Sequence, residues 1–205
     1  SQNNPIRYVF LGDYIDRGPK SAQVLDTIVD WRKHHTCIFL LGNHEASLLQ
    51  FLESPIQNAG WLKFGGIDTA LSYGIRPPMG RLSNTQILSL SKELRDSIKP
   101  EHLKFLKNLE LSYESGDYLF VHAGVYVDRP LSKNDEQSIL WMREPFLSSN
   151  ALFERVIVHG HTITQNFDPE IRPNRIGIET GSYLNGKITA LIIDGMDRKF
   201  IYSTD

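Results

Sequence analysis

Four short runs of apolar, β-prone residues each lead into residues that can bind a metal ion. The runs are 8–11 before Asp13, 38–41 before Asn43, 118–121 before His122, and 156–158 before His159 and His161. Short apolar runs bounded by turn residues are typical of buried strands. Strands that deliver Asp, Asn and His side chains to one edge of a sheet build a metal site on rigid elements. The sequence therefore predicts metal ligands at the strand ends.

These polar residues lie in four motifs of unequal specificity. The motifs are Gly-Asp-Tyr-Ile-Asp-Arg-Gly at 12–18, Gly-Asn-His-Glu at 42–45, His-Ala-Gly at 122–124 and His-Gly-His-Thr at 159–162. The first motif followed by the second is a strong signal, whereas His-Ala-Gly alone is weak. In this order the motifs resemble those of the calcineurin-like metallophosphoesterases. They are most similar to the phosphoprotein (serine/threonine) phosphatase branch, in particular its bacterial and phage lambda-phosphatase type.

The pattern along the chain predicts an α/β fold. Residues 6–53 alternate strand, helix, strand and helix, which predicts a parallel strand pair. Glycines and prolines make residues 54–82 irregular, and two helices follow at 84–97 and 100–109. The later pattern is mostly β, with a hairpin at 111–122 and strands at 155–159, 176–179, 187–194 and 200–202. We expect a two-sheet β-sandwich of mixed and antiparallel sheets flanked by helices, as in the metallophosphoesterases.

The resemblance also bears on domain organisation. We expect a single metallophosphoesterase domain over residues 1–205, with residues 54–110 forming an irregular and helical cap region within it. The family opens with an Asp-x-His motif on an earlier strand, and residues 1–11 contain neither Asp nor His. We therefore expect a domain that is incomplete at its N-terminus and lacks the first strand and helix of the fold.

The resemblance implies a metal centre in which Asp13, Asn43, His122 and His161 form one site. The complete enzyme is expected to bind two divalent ions, Mn first, with Fe, Zn and Ni as alternatives. Only the bridging Asp13 remains from the other site, so that site is incomplete here. Taken singly, Asp13 could cap a helix or turn and Asn43 could favour a left-handed turn. His159 could bind metal or form hydrogen bonds at the sheet edge, and we favour the supporting role.

The resemblance further implies in-line attack on phosphorus by a hydroxide that bridges the two metals. His44 matches the general acid of the family, and Asp16 matches the carboxylate that orients and charges it. Arg17 and Asn43 are expected to bind the substrate phosphate, Arg17 through bidentate hydrogen bonds. The alternative for Asp16 and Arg17 is an ordinary surface salt bridge.

Two further segments are similar to lambda-type phosphatases. Residues 141–144, Trp-Met-Arg-Glu, resemble a Trp-Asn-Arg-Glu segment whose Arg clamps phosphate, which makes Arg143 a second phosphate-binding residue. The alternative for Arg143 is an ordinary surface position. Trp61-Leu62 with Gly65-Gly66 resembles a Trp-Leu-x-x-Gly-Gly stretch, which we expect at the rim of the site without a catalytic role. The alternative is an ordered surface loop packed by Trp61.

Three functions remain open from the sequence. The leading hypothesis is a metal-dependent phosphatase that hydrolyses phosphomonoesters of the phosphoserine/threonine type, acting on a phosphoprotein or a small phosphoester. A symmetric diadenosine tetraphosphate hydrolase uses the same metal chemistry, and the context of Arg143 favours the phosphatase. A catalytically impaired metal-binding or interaction domain is the third possibility. It fits the absent Asp-x-His motif, whereas the acid and both arginines speak against it.

Composition restricts the partners. The net charge is −2 and the chain contains one cysteine, Cys37. This charge does not favour binding to nucleic acid or to an anionic membrane. A single cysteine excludes an intrachain disulfide, which fits a reducing compartment. We therefore expect a cytoplasmic protein that binds no nucleic acid and no membrane.

Overall fold

The computed structural model describes residues 6–203. The chain forms two compact units, the first ending at Glu110 and the second beginning at Leu111. Each unit has its own sheet or sheets. The single domain with a cap region at 54–110 stays a prediction.

The first unit begins with the predicted alternation of strands and helices. Its early elements are β1 (Arg7–Phe10), α1 (Ser21–Trp31), β2 (Thr36–Phe39) and α2 (Asn43–Glu53). β1 pairs with β2 in parallel, with Tyr8 opposite Cys37 and Val9 opposite Ile38, so the predicted parallel pair is confirmed. α1 buries Leu25, Ile28 and Val29, which recur at helical spacing. Both strands therefore end at the same edge, where the motif residues begin.

Residues 54–82 contain more regular structure than their glycines and prolines predict. A 3₁₀ helix spans Ala59–Phe64 and α3 spans Gly66–Ser72. Gly65 separates the two helices with a φ of 114°, a left-handed conformation that glycine adopts without steric cost. A Cβ on Gly66 would lie 2.5 Å from the ring of Trp61. The glycines thus permit a tight helix junction here. The predicted helices of this unit follow as α4 (Asn84–Ser97) and α5 (Pro100–Leu106).

The second unit is mostly β. Its elements are β3 (Ser112–Ser115), β4 (Tyr118–Val121), α6 (Glu136–Trp141), β5 (Val156–His159), β6 (Glu170–Ile171), β7 (Arg175–Gly177), α7 (Ser182–Asn185), β8 (Thr189–Asp194) and β9 (Asp197–Tyr202). Five strands form a mixed sheet in the order β3-β4-β5-β7-β6, and β8 pairs with β9 in an antiparallel hairpin. The α/β class with mixed and antiparallel sheets is confirmed. The sequence did not predict β6, α6 or α7.

The three central strands of the mixed sheet determine where the second set of motif residues lies. β4, β5 and β7 run parallel to one another. The carboxyl ends of neighbouring parallel strands meet at one sheet edge, which is where ligands bind in open α/β sheets. His122 follows the last residue of β4, and His159 is the last residue of β5.

A helix that spans a bilayer must be long and apolar. Over residues 6–203, every helix is too short or too polar to span a bilayer.

A buried hydrogen-bond network joins three helical elements of the first unit. His102, on α5, is fully buried. Its Nδ1 lies 2.8 Å from the hydroxyl of Tyr73, directly after α3, and its Nε2 lies 3.0 Å from a carboxylate oxygen of Asp26 on α1. A buried imidazole with both nitrogens paired therefore fixes the packing of these helices.

We expect His102→Ala to lower the free energy of unfolding by about 2–4 kcal/mol, because it opens a cavity and removes the partner of the Tyr73 hydroxyl. Denaturant unfolding followed by circular dichroism measures this change. Lys92→Ala serves as a control, because Lys92 pairs with Asp96 on the exposed face of α4 and such pairs contribute about 0.5 kcal/mol or less. Equal stability of both variants would contradict a structural role for His102.

Candidate active site

The loop after β1 adopts an unusual backbone conformation. Asp13, Asp16 and Arg17 have φ values of 60°, 74° and 58°. Left-handed backbone costs a residue with a Cβ roughly 1–2 kcal/mol, so such residues persist only where surrounding contacts determine them. Two neighbouring segments supply those contacts.

Glu45 supplies the first set of contacts. Its side chain is fully buried. One carboxylate oxygen accepts hydrogen bonds from the amides of Asp13 and Gly42 at 2.9 and 3.0 Å. The other accepts from the amides of Tyr14 and Ile15 at 2.7 and 3.2 Å. One carboxylate therefore joins the start of α2 to the loop after β1.

The charge of Glu45 is costly in this position. Burial and the neighbouring charge of Asp13 raise the pKa of Glu45 to about 8, while the hydrogen bond from the Asp13 amide and the charge of His44 lower it. The net rise means that the amides replace only part of the solvation that the carboxylate loses on burial. Its four hydrogen bonds nevertheless hold the loop in place.

Asp16 and His44 form the predicted pair. His44 Nδ1 lies 2.7 Å from Asp16 Oδ2, and both side chains are almost fully buried. Burial lowers the pKa of His44, but the hydrogen bond from Asp16 and the charges of Asp13 and Asp16 outweigh it and raise the pKa above its ordinary value. The arrangement therefore favours an imidazolium with a defined orientation. The alternative of a surface salt bridge between Asp16 and Arg17 does not fit an Asp16 that is 8% exposed.

The other predicted residues of this unit lie beside that pair. Asn43 is the first residue of α2 and is buried. Its backbone carbonyl accepts a hydrogen bond from Ser47 at 2.7 Å. Arg17 is exposed and follows Asp16 directly. Asp13, Asp16, Arg17, Asn43 and His44 are therefore all carried by two adjacent turns at the ends of β1 and β2.

In the second unit, two histidines from different strand ends meet. His122 Nε2 lies 3.2 Å from His161 Nδ1. Two nitrogens that each lie about 2.1 Å from one ion are about 3.2 Å apart at an angle of about 100°, so the pair fits a shared metal ion. The same distance lets one ring donate a hydrogen bond to the other. Imidazole pairs suit Fe, Zn and Ni, and added carboxylate ligands extend the range to Mn.

Arg143 lies beside these histidines. Its Nε donates a hydrogen bond to His161 Nε2 at 3.4 Å. The ring of Trp141, two residues earlier, packs edge-on against His161 with centroids 6.3 Å apart. The segment chosen by resemblance is therefore adjacent to the histidine pair, with the exposed guanidinium of Arg143 facing it.

His159 has a different environment. It is buried, with Nδ1 3.1 Å from the carbonyl of Gly160 and Nε2 3.3 Å from Arg175 Nη1. Burial is the main reason that its pKa falls to about 4. Arg175 is itself 2% exposed and forms a 2.7 Å ion pair with Glu170. These contacts on both ring nitrogens agree with the supporting role that the sequence favoured.

Three residues of the first unit that contact the loop or its acid pair received no role in the chemistry from the sequence. Trp61, expected at the rim, is instead 3% exposed, and its indole nitrogen donates to Asp16 Oδ2 at 2.8 Å. Thr69 donates to Asp16 Oδ1 at 2.6 Å. Glu45 was visible in the Gly-Asn-His-Glu motif but received no role. For Trp61 and Thr69, the available signal was the spacing of Trp61 from Gly65-Gly66.

A family model for calcineurin-like phosphoesterases matches residues 1–183. The chain belongs to this family. With the paired imidazoles and the buried acid pair, this membership makes the chain a metal-dependent phosphoesterase. The family prediction is thereby confirmed.

Two curated relatives have similar sequences. Both are named bis(5′-nucleosyl)-tetraphosphatase PrpE, asymmetrical. The protein from Anoxybacillus flavithermus is 23% identical over 98% of this chain and 81% of its own length. The protein from Oceanobacillus iheyensis is 25% identical over 92% of this chain and 74% of its own length. These relatives are tetraphosphatases, so they lend no specific support to the protein phosphatase branch.

Two solved structures share the fold. A proposed diadenosine tetraphosphatase superposes with a TM-score of 0.63 at 19% identity, over 96% of this chain and 80% of that one. A metallophosphoesterase from Sphaerobacter thermophilus gives 0.50 at 16% identity, over 95% and 76%. The predicted metallophosphoesterase fold is confirmed.

Loss of the Glu45 carboxylate should unfold the loop that it holds. We expect Glu45→Ala to cost about 3 kcal/mol of stability or more, because four backbone amides lose their acceptor. Glu53→Ala, an exposed site at the end of the same helix, should change stability by less than about 0.5 kcal/mol. Chemical denaturation of both variants measures the difference. A small loss at Glu45 would show that the loop holds its conformation by other contacts.

Proposed function

We propose that this chain hydrolyses dinucleoside tetraphosphates, with water cleaving one phosphoanhydride bond in a metal-dependent reaction. The two curated relatives, both named as asymmetrical bis(5′-nucleosyl)-tetraphosphatases, support this substrate class. Asymmetrical cleavage of diadenosine tetraphosphate releases ATP and AMP. The symmetrical cleavage considered from the sequence would release two ADP molecules.

The observation that carries the hydrolytic chemistry is the buried pair of Asp16 and His44. Asp16 accepts from His44 Nδ1 at 2.7 Å and favours the charged ring. His44 Nε2 is then the atom that donates a proton to the oxygen of the leaving phosphate. A general acid of this kind contributes typically 10²–10⁴-fold to rate.

We further propose that Asp13, Asn43, His122 and His161 hold one divalent ion. Their mixed carboxylate, amide and imidazole donors fit Mn, with Fe, Zn and Ni as alternatives. When bound, divalent ions neutralise phosphate charge and lower the pKa of coordinated water. A second ion would need ligands in addition to Asp13.

Arg17 and Arg143 are the proposed phosphate-binding residues, together with the side-chain amide of Asn43. Guanidinium groups bind phosphate oxygens through paired hydrogen bonds. Both arginines are exposed, as substrate contact requires. A tetraphosphate chain carries several charged phosphates, so two separate guanidinium groups suit it.

A serine/threonine phosphatase is the second candidate, because Arg143 lies against His161 in the Trp-Met-Arg-Glu segment that resembles lambda-type phosphatases. A metal-binding domain without activity is the third. The acid pair speaks against it, because a structural scaffold has no need for a buried, charged imidazole.

Product analysis decides among these candidates. We expect diadenosine tetraphosphate with Mn²⁺ to yield ATP and AMP in equal amounts, resolved by anion-exchange chromatography, with hydrolysis of a phosphothreonine peptide at least tenfold less efficient in kcat/KM. Two ADP molecules would favour the symmetrical reaction. Preference for the peptide would restore the protein phosphatase hypothesis. Loss of both activities in the presence of each candidate metal would favour the binding domain.

Acid and metal ligand should separate by mutation. We expect His44→Ala to lower kcat at least 100-fold while metal content stays unchanged, because His44 gives the proton and does not bind the ion. His122→Ala should lower both metal content and activity. Elemental analysis after dialysis against Mn²⁺ measures the metal content. His34→Ala is the control, because His34 is exposed. Metal loss in His44→Ala would contradict this division of roles.

A further inference from the structure

Both carboxylate oxygens of Asp16 are occupied by side chains from outside its own loop. Oδ2 receives His44 Nδ1 at 2.7 Å and the indole nitrogen of Trp61 at 2.8 Å. Oδ1 receives the hydroxyl of Thr69 at 2.6 Å. The terminal torsion of an Asp side chain is otherwise broad. Three donors on two oxygens fix the rotation of this carboxylate.

We propose that Trp61 and Thr69 are positioning residues that aim the general acid through Asp16. This inference rests on the proposed function, in which His44 gives a proton to the leaving phosphate. The hydrogen bonds described for Trp61 and Thr69 reach Asp16 and not the His44 ring, so each acts through Asp16.

Thr69 holds the backbone of Asp16 as well as its side chain. Its Oγ1 accepts from the Asp16 amide at 3.0 Å and lies 3.2 Å from the hydroxyl of Ser21. Thr69 is fully buried on α3. Asp16 has a φ of 74°, so this contact also supports a left-handed residue.

The Trp61 ring is itself held rigidly. Its centroid lies 5.0 Å from that of Phe51, on α2. A Cβ on Gly66 would lie 2.5 Å from the ring, so a glycine is needed there. The ring therefore has little freedom to move its N–H away from Asp16.

Gly65 allows this segment to approach the Asp16 loop. A Cβ at this position would lie 2.6 Å from the Arg17 amide nitrogen and 2.9 Å from the Asp16 Cβ. Its φ of 114° also excludes most side chains. The spacing Trp61-x₃-Gly65-Gly66-x₂-Thr69 thus combines two donors with two glycines that permit contact.

Removing either hydrogen bond to Asp16 is expected to lower turnover rather than substrate binding. With Asp16 held, His44 keeps Nδ1 on the carboxylate and presents Nε2 to the substrate. A misaligned acid loses proton transfer in the transition state, which lowers kcat and leaves KM nearly unchanged.

The test uses Trp61→Phe and Thr69→Val, which remove one donor each and keep most of the volume. We expect kcat for diadenosine tetraphosphate to fall at least tenfold with KM within threefold, and Thr69→Ser to restore most of it. Trp31→Phe and Thr27→Val are the matched controls, because both lie on α1 away from Asp16. Nitrogen-15 NMR of the His44 ring gives a second readout, in which the Nδ1–H signal should shift and exchange faster in both variants.

The outcomes separate the two proposals. If the unaltered protein hydrolyses no tetraphosphate, the proposed function fails, and the His44 Nδ1–H signal still decides the positioning role. Unchanged kcat and an unchanged signal in folded Thr69→Val would overturn the positioning role. If Trp61→Phe does not fold, Thr69→Val against Thr69→Ser decides it.

Discussion

The site of the first unit depends on one buried carboxylate. Glu45 accepts hydrogen bonds from the amides of residues 13–15 and 42, so it fixes a loop whose functional residues are in left-handed conformations. Without these acceptors, the loop would lose the contacts that offset its backbone cost. Burial and the charge of Asp13 raise the pKa of Glu45, whereas the hydrogen bond from the Asp13 amide favours its charged form. The loop held in this way orients both aspartates of the first motif.

A second constraint acts on Asp16, and it comes from a different part of the chain. The segment from Trp61 to Thr69 approaches the loop through two glycines and gives two hydrogen bonds to one carboxylate. The segment lies far from the loop in sequence, yet it shares the Asp16 carboxylate with His44. Glu45 holds the backbone of residues 13–15, whereas Trp61 and Thr69 hold the Asp16 side chain and Thr69 also accepts from the Asp16 amide. His44 then meets a carboxylate with one available orientation.

The sequence predicted the strands and long helices well, because their apolar periodicity is clear. It missed β6, α6 and α7, which span only two, six and four residues and show little periodicity. It also placed Trp61 at the rim of the site instead of in its interior. Glycines near a tryptophan indicate a loop, and the sequence does not show the close contact that these glycines permit. Glu45 lay in a quoted motif, but its function requires knowing that four amides converge on it. The shared ligand set of Asp13, Asn43, His122 and His161 stays a prediction.

The motifs identify a chemistry more readily than a substrate. The roles proposed for Asp13, His44 and the histidine pair would serve any phosphorus–oxygen bond that breaks with a charged leaving group, so they do not separate a phosphoprotein from a tetraphosphate. Selectivity must come from groups that contact the rest of the substrate. Arg17 belongs to the first motif and Arg143 lies outside the four motifs, but both side chains are exposed. The named relatives therefore support the proposed substrate class more strongly than the reacting residues do. The Asp16–His44 pair, in turn, supports the proposed type of reaction more strongly than the relatives do.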